Sequence, residues 1–363
     1  MRPGRRRLEA RQSLSRRAYP RLSASGASCA CWRRSSWLTR RPPMRDDVRC
    51  YAMASAISVL ISTRNRAPQL ALSLPTVLRS MDQAAAPAEL VVIDNESRDS
   101  TQDVLKRLTA GRDRVRVIVE KPPKSAALNR ALAQLDCRAV LFTDDDVHVP
   151  PTWVDDMSRP ILEGTVDAVA GGIRLASHLD RRWLTAEFRI HLAEFEPSGP
   201  DTDMFGASMA TSLAAARLIG FDDNLGPGSA RGLCEDMLFN RRLKAAGYRL
   251  TASTGPPVVH WVDPSRLTRD AMLGMAARNG TSDAYIWHHW LHSDLRALHV
   301  RLARDTFRLW RERRRRRPVD IVMTWRECDL AYRTTFFRSL IVERRSTPRY
   351  RPEDSSFGAS AST

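Results

Sequence analysis

Nothing in this sequence approaches the roughly twenty consecutive apolar residues that a bilayer-crossing helix requires, and the N-terminus lacks the apolar core of a secretory signal. The expectation is a soluble or membrane-peripheral chain in the cytoplasm. Cysteine is sparse and unpatterned: the six at positions 29, 31, 50, 137, 234 and 328 form no CxxC pair and no spacing typical of a zinc site or a disulfide framework. Cys137 and Cys234 fall in regular segments and read as reduced, packed thiols. Also missing are a GxGxxG after the first strand and a GxxxxGKS or GxxxxGKT anywhere. A dinucleotide-binding Rossmann site and a Walker-type phosphate loop are therefore both disfavoured.

What the chain has in excess is positive charge, +17 over 363 residues, and it is unevenly placed. Residues 1–54 carry 14 Arg against Glu9, Asp46 and Asp47, a net of +11, and residues 301–363 carry 16 Arg against eight acids, a net of +8. That leaves 55–300 at −2, an almost neutral body between two basic ends. The first 54 residues mix Arg, Ser, Ala and Pro without periodicity and are expected to be disordered. A targeting segment, a basic arm for anionic surfaces, and sequence upstream of a true start at Met44 or Met53 are three open readings of it, the last favoured.

The body is organised around residues 139–150, where the apolar run with Val140, Leu141 and Phe142 stops at Asp144, Asp145 and Asp146. The run reads as a strand buried on both faces. Adjacent carboxylates at its end repel one another and are most readily held by a divalent cation or a basic group; a solvated acidic turn is the alternative. Three strand-and-helix units precede it. Residues 56–62 form a strand, followed by Leu70, Leu74, Val77, Leu78 and Met81 at helical spacing. Residues 89–94 form the second strand, followed by a helix capped at Ser100 or Thr101 and carrying Val104, Leu105 and Leu108. Residues 115–119 form the third, followed by a helix presenting Leu128, Ala131, Leu132 and Leu135.

Four alternations with short connections predict an α/β domain with a doubly wound, mostly parallel sheet. Ligands of such sheets bind beyond the C-terminal ends of the strands. Thr63 to Arg66, Asp94, and Asp144 to Asp146 all fall on that edge, a setting for a charged ligand accompanied by a cation.

These residues resemble the family 2 inverting glycosyltransferases with the GT-A fold. Residues 57–66, ISVLISTRNR, are similar to the family's opening SVxIxTxNR strand, 91–99, VVIDNESRD, to its VVDNxSxD segment, and 142–146, FTDDD, to its DxD motif. Residues 124–130, KSAALNR, resemble the lysine-and-asparagine helix start, and 206–210, 219–228 and 232–239 the acceptor-side motifs. The likeness runs from about Ile57 to Trp261, in the family's order. It implies a Rossmann-like GT-A domain over 55–265; beyond it the residues themselves read as a C-terminal helical region over 266–345 and a disordered tail from 346.

The resemblance also implies roles. Asp94 would accept a hydrogen bond from the nucleotide base, with Thr63 and Arg66 lining base and ribose. Asp144 would touch ribose and metal, Asp145 the donor, and Asp146 would ligate Mn2+ or Mg2+ at the diphosphate, with His260 as a further ligand. Lys124 would meet phosphate. Asp236, with Glu235 in reserve, would deprotonate the acceptor hydroxyl. Each has a plainer alternative: a turn cap for Asp94, a solvated helix-start lysine for Lys124, a packed strand-end residue for His260. For Glu235 and Asp236 it is first-turn acids favoured by a helix dipole, since Phe239, Leu243 and Ala246 share a face and Gly247 ends the helix. Residues 225–228, LGPG, read as a mobile lid over the donor.

The implied reaction moves a sugar from a UDP-, GDP- or dTDP-linked donor to a saccharide, lipid-linked or small-molecule hydroxyl. The QxxRW signature of polymerising synthases is absent, so transfer is expected to be non-processive. Beyond Trp261, residues 268–311 read as helical, with Leu291, Leu295, Leu298 and Leu302 in one stripe and Arg301, Arg304, Arg308 and Arg311 on one face. With Trp287, Trp290 and Trp310 such a helix suits an anionic membrane surface; a helical lobe on the sheet with a solvated arginine face is the favoured alternative. A nucleotidyltransferase is the runner-up enzyme, although the loop after the first strand has no glycine. A nucleic-acid-binding module is disfavoured, because the Arg-rich ends lack interleaved aromatics.

Overall fold

The computed structural model describes residues 55–200, 202–316 and 321–351. The arm expected to be disordered, 1–54, and the tail from 352 lie outside the described residues. The first half forms the four predicted units: β1 (Ile57–Thr63), α1 (Ala67–Asp82), β2 (Ala88–Asp94), α2 (Thr101–Thr109), β3 (Val115–Val119), α3 (Lys124–Gln134) and β4 (Ala139–Asp144). There follow β5 (Val147–His148), α4 (Trp153–Leu162), β6 (Ala168–Ala170), β7 (Ile173–Leu175), α5 (Ala186–His191), β8 (Met209–Ser212) and α6 (Leu213–Ile219). The chain continues through α7 (Glu235–Ala245), β9 (Leu250–Ala252), β10 (Val258–His260), α8 (Arg269–His289), α9 (Leu298–Arg313) and α10 (Trp325–Glu343).

The main sheet has the order β3-β2-β1-β4-β8-β6-β9, with only β8 running against both its neighbours. This is the mixed α/β, mostly parallel arrangement that the alternation predicts. Strand periodicity divides the core in two. Ile57, Val59 and Ile61 of β1 pack with Leu70, Leu74, Trp153 and Met157 of α1 and α4. Leu60 faces the other way, in a cluster with Leu128, Leu132, Phe142, Phe239 and Leu243 of α3, β4 and α7. Because β1 lies between β2 and β4, register aligns Thr63 with Asp94 and Ser62 with Asp144. Two of the acid-bearing strand ends therefore flank the end of β1.

A second sheet, β5-β10-β7, completes that edge. β10 runs antiparallel to β5 and places His260 opposite Val147, one residue past Asp146. The Trp261 N–H donates to the Asp146 carbonyl at 2.8 Å and locks the register.

The C-terminal region is helical as expected, with a different break. The stripe through Leu291, Leu295, Leu298 and Leu302 does not lie on one helix, because α8 ends at His289 and α9 starts at Leu298. His292 and Ala297 between them take positive φ, 48° and 55°, which a helix cannot continue through. Leu295, Leu298 and Leu302 still share a cluster with Phe336 and Phe337 of α10, whereas Leu291 joins one around Trp290. α8 and α10 cross closely at Gly280, where a Cβ would sit 2.6 Å from the Tyr332 carbonyl oxygen. Trp287 and Trp290 point inward, the first against Phe336 and the second against Tyr350. Tyr350 extends ordered structure past the boundary at 346. Among the described residues no helix is long and apolar enough to cross a membrane, and Cys137, Cys234 and Cys328 are buried free thiols.

Candidate active site at the strand ends

The loop leaving β1 is built to present Arg66. Asn65 adopts φ 53°, its side-chain oxygen accepts the Arg98 N–H at 2.7 Å, and the Arg66 N–H donates to the Thr101 hydroxyl at 3.1 Å. The loops after β1 and β2 are thereby tied together, and the Arg66 guanidinium lies 3.6 Å from Asp146 and 4.0 Å from Asp145. Asp145 also accepts from the Thr63 hydroxyl at 2.7 Å. Burial pushes the Asp145 carboxyl up to about 7, helped by repulsion from Asp146 and opposed by Arg66 and Thr63.

Asp146 is the better compensated. His260 Nε2 lies 3.2 Å from its Oδ1, and Arg266 lies 3.7 Å from its Oδ2. Burial alone would raise it, but His260, Arg66 and Arg266 prevail and bring it down to about 2. His260 Nδ1 contacts the Leu192 carbonyl at 3.0 Å, and since a carbonyl only accepts, Nδ1 carries a hydrogen. Nε2 therefore faces the Asp146 carboxylate, 3.2 Å away. A histidine that donates one ring N–H to a backbone carbonyl and offers the other nitrogen beside an aspartate is the usual geometry of a metal ligand. Asp146 and His260 thus fit a divalent cation. Asp144 does not join them: its carboxylate goes to Lys124, 2.8 Å away, and among the described residues no three His, Cys, Asp or Glu side chains gather as a ready ligand set. The cation beside Asp144 in this structure is Lys124, the lysine that begins α3.

Lys124 connects this rim to the second constellation. Its Nζ lies 3.7 Å from Glu235 Oε1 as well as 2.8 Å from Asp144. Burial disfavours the ammonium, yet Asp144, Glu235 and Asp236 hold its pKa well above the ordinary lysine range. Glu235 stands farther from it and is pushed up to about 7 by burial. Asp236 is raised by burial too, although its Oδ2 accepts the Gly206 N–H at 2.8 Å and its Oδ1 the Met237 N–H at 2.8 Å. The expected first-turn position of both acids in α7 is as found.

Asp94 and the 225–228 loop are each held by local hydrogen bonds. The Asp94 carboxylate lies on the same edge and is buried, with one bond to each oxygen, from the Ser97 N–H at 2.9 Å and the Gln102 amide at 3.1 Å. The Ser97 contact caps the turn after β2. The 225–228 loop is pinned rather than free: the Lys124 N–H donates to the Pro227 carbonyl at 3.0 Å and the Ser125 hydroxyl to that of Leu225 at 2.9 Å. Gly226, at φ 89°, packs so closely that a Cβ would stand 2.8 Å from Ser125 Oγ.

The sequence marks Gly206 only as part of the 206–210 motif and does not mark Arg266; both reach the site from segments far along the chain. Nor did it show Trp261, 39% exposed and stacked on His148 with ring centroids 4.8 Å apart.

Residues 58–225 match the model of glycosyl transferase family 2. This stretch is a family 2 glycosyltransferase domain. Glu235, Asp236 and His260 lie beyond the matched segment. Among curated proteins, glycosyltransferase AglE of Haloferax volcanii is 25% identical over 119 residues, which is 32% of this chain and 39% of that relative, well under two thirds of its length. Loose structural likenesses include mannosyltransferase PcManGT from Pyrobaculum calidifontis in complex with GDP-Man and Mn2+, at 17% identity and TM-score 0.43, covering 80% of this chain and 73% of that one. Another is glucosyl-3-phosphoglycerate synthase from Mycobacterium tuberculosis with phosphoglyceric acid, at 21% identity and TM-score 0.41, covering 62% and 80%.

Proposed function

We propose that this chain is a metal-dependent, inverting, non-processive glycosyltransferase of GT-A type, moving one sugar from a nucleotide-diphosphate donor to an acceptor hydroxyl. The observation that carries the reading is Lys124, whose single ammonium bridges the acid ending β4, 2.8 Å away, and the first acid of α7, 3.7 Å away. It brings the proposed donor edge within one side chain of Glu235, the neighbour of the proposed base Asp236.

In this reading Asp146 and His260 hold Mn2+ or Mg2+, which supplies positive charge to the departing nucleoside diphosphate. Arg66 and Arg266, already beside Asp146, bind the diphosphate, and Lys124 meets it from the other side. Thr63, Asp94, Asp144 and Asp145 orient base and ribose, Asp94 through lone pairs left over from its two hydrogen bonds. Asp236 is the base: its raised pKa suits proton uptake, and the Gly206 and Met237 N–H groups fix its orientation. Glu235, shared with Lys124, is the reserve. One carboxylate suffices because inversion is a single displacement, with base and leaving group on opposite sides of the anomeric carbon.

The test is thermal stabilisation by UDP, GDP and dTDP, each with Mn2+ and with chelator, followed by NMR assignment of the product anomer. One nucleoside diphosphate series should stabilise the protein in a metal-dependent manner that Asp146→Ala abolishes, and the product should be inverted. Retention at the anomeric carbon, or no response to any nucleotide, overturns the reading.

A further inference from the structure

The helix α9 carries two stripes. Leu298, Leu302, Asp305, Leu309 and Glu312, spaced four and three apart, turn inward toward α10 and neighbouring loops, where Leu298, Asp305, Leu309 and Glu312 are buried. The opposite face carries Val300, Phe307 and Trp310, exposed by 69%, 57% and 47%. At about 100° per residue these three and Ala303 fall within about 80° of arc, a continuous apolar strip about 15 Å long. Large side chains exposed singly are ordinary, but three on one helical face are a feature that calls for a partner.

The surroundings of the strip indicate what covers it. Residues 298–316 hold eight Arg against Asp305 and Glu312, a net of +6. Arg304, Arg308 and Arg311 run along one flank of the strip, all exposed. A second copy of this chain would bring the same charge against itself, and residues 1–54, at +11, are equally mismatched. A nucleic acid would want free ring faces for base stacking. Here Phe307 and Trp310 stack on each other at 5.7 Å and 20°, and the Arg314 guanidinium covers the Trp310 ring at 3.8 Å. A lipid surface needs only apolar volume at headgroup depth and anions beside it, and the strip offers both.

We infer that α9 is a docking helix for an anionic bilayer surface, with Val300, Phe307 and Trp310 entering the headgroup region and the flanking arginines meeting lipid phosphates. The apolar face differs from the one read in the sequence: Trp287 and Trp290 pack against Phe336 and Tyr350, and Val300 and Phe307 lie beside Trp310 instead. The inference is independent of the reaction, since it concerns a face remote in sequence from the proposed donor edge and base.

The test is co-sedimentation of the full chain with vesicles of phosphatidylcholine alone and of equal parts phosphatidylcholine and phosphatidylglycerol, at low and high salt. Binding should require phosphatidylglycerol and weaken with salt. The double variant Phe307→Ser, Trp310→Ser should lower partitioning at least about tenfold, and Arg311→Gln about fivefold, with thermal melting of both unchanged because the altered side chains are exposed. Partitioning equal for both vesicle types, or unaltered in the double variant, overturns the inference. So does a wild-type dimer in light scattering, or a gel shift of single-stranded oligonucleotide, that the double variant removes; those results would assign the strip to self-association or to nucleic acid instead.

Discussion

The C-terminal helices and the strand-end rim both bury acids, and they treat them in opposite ways. In the helices three buried acids each meet at least two cationic partners: Asp305 has Arg304, Arg308 and Arg333, Glu327 has Arg269 and Arg313, and Glu312 has Arg315 and Arg326, while a fourth, Asp283, accepts from the Tyr332 hydroxyl and is raised by burial. Burial works against the Asp305 carboxylate, but Arg304 and Arg333 outweigh it and hold its pKa below the ordinary value. At the rim the ratio inverts. Asp146 excepted, the rim acids among the described residues have less: Asp144, Glu235 and Asp236 share Lys124 and Asp145 shares Arg66 with Asp146, and burial lifts Asp145 and Glu235 to about 7. Fully matched charges fix a fold, whereas acids short of countercharge have capacity left for a proton, a cation or a substrate.

The sharpest way to separate the two classes is to neutralise one acid from each. Asp236→Asn should lower kcat by about 10²- to 10⁴-fold with the nucleotide-dependent shift in Tm intact, since the amide keeps the size of the carboxyl and its oxygen still accepts from one of the Gly206 and Met237 N–H groups. Normal turnover in this variant would remove Asp236 as base. Asp305→Ala should do the reverse: it leaves three guanidiniums facing one another and should cost about 2–3 kcal/mol of stability, discounted because the arginines are partly exposed. Denaturant unfolding reads the loss, and nucleotide binding below the transition should persist. If the two variants lost stability equally, the contrast between rim and helices would be empty.

A smaller effect tests undercompensation directly. Glu235 is raised from 4.5 to about 7, so its favourable contribution is complete below its unfolded value and is lost as pH rises through its folded one. Glu235→Gln removes that loss. The stability difference between variant and wild type should open in favour of the variant between pH 4.5 and 7, by at most about 3 kcal/mol, and stay level above. A difference that does not change with pH would mean Lys124 compensates Glu235 fully.

How much of this was legible in the sequence follows the same division. The four strand-and-helix units could be read because each repeats one period over a long enough stretch, and the acids at 94 and 144–146 could be placed on one edge because parallel strands end together. Their partners could not. Arg266 reaches Asp146 from 120 residues away, and Gly206 contributes a backbone N–H that no residue type announces. The break between α8 and α9 went unseen because His292 and Ala297 take positive φ without a glycine or proline to mark it. The strip through Leu291 therefore looked continuous across two helices.

Asp222 is a third kind of buried acid, held by neutral donors. Its Oδ2 accepts from the Trp290 indole at 2.7 Å, the Tyr285 hydroxyl at 3.0 Å and the Tyr350 hydroxyl at 3.2 Å, while its Oδ1 takes the Asn224 N–H at 2.8 Å. It sits at the start of the loop that packs on Lys124 and Glu235, so it ties the last described residues of the chain to the rim. Tyr350→Phe removes the longest of these bonds and keeps the ring stacked on Trp290, 3.8 Å between centroids. The expected cost is about 1 kcal/mol, a fall of about 2–4 °C in Tm, with kcat unchanged because three donors still hold the carboxylate. A fall in kcat without a fall in Tm would mean instead that Tyr350 acts on the loop itself, and that the helical region belongs to the catalytic apparatus rather than beside it.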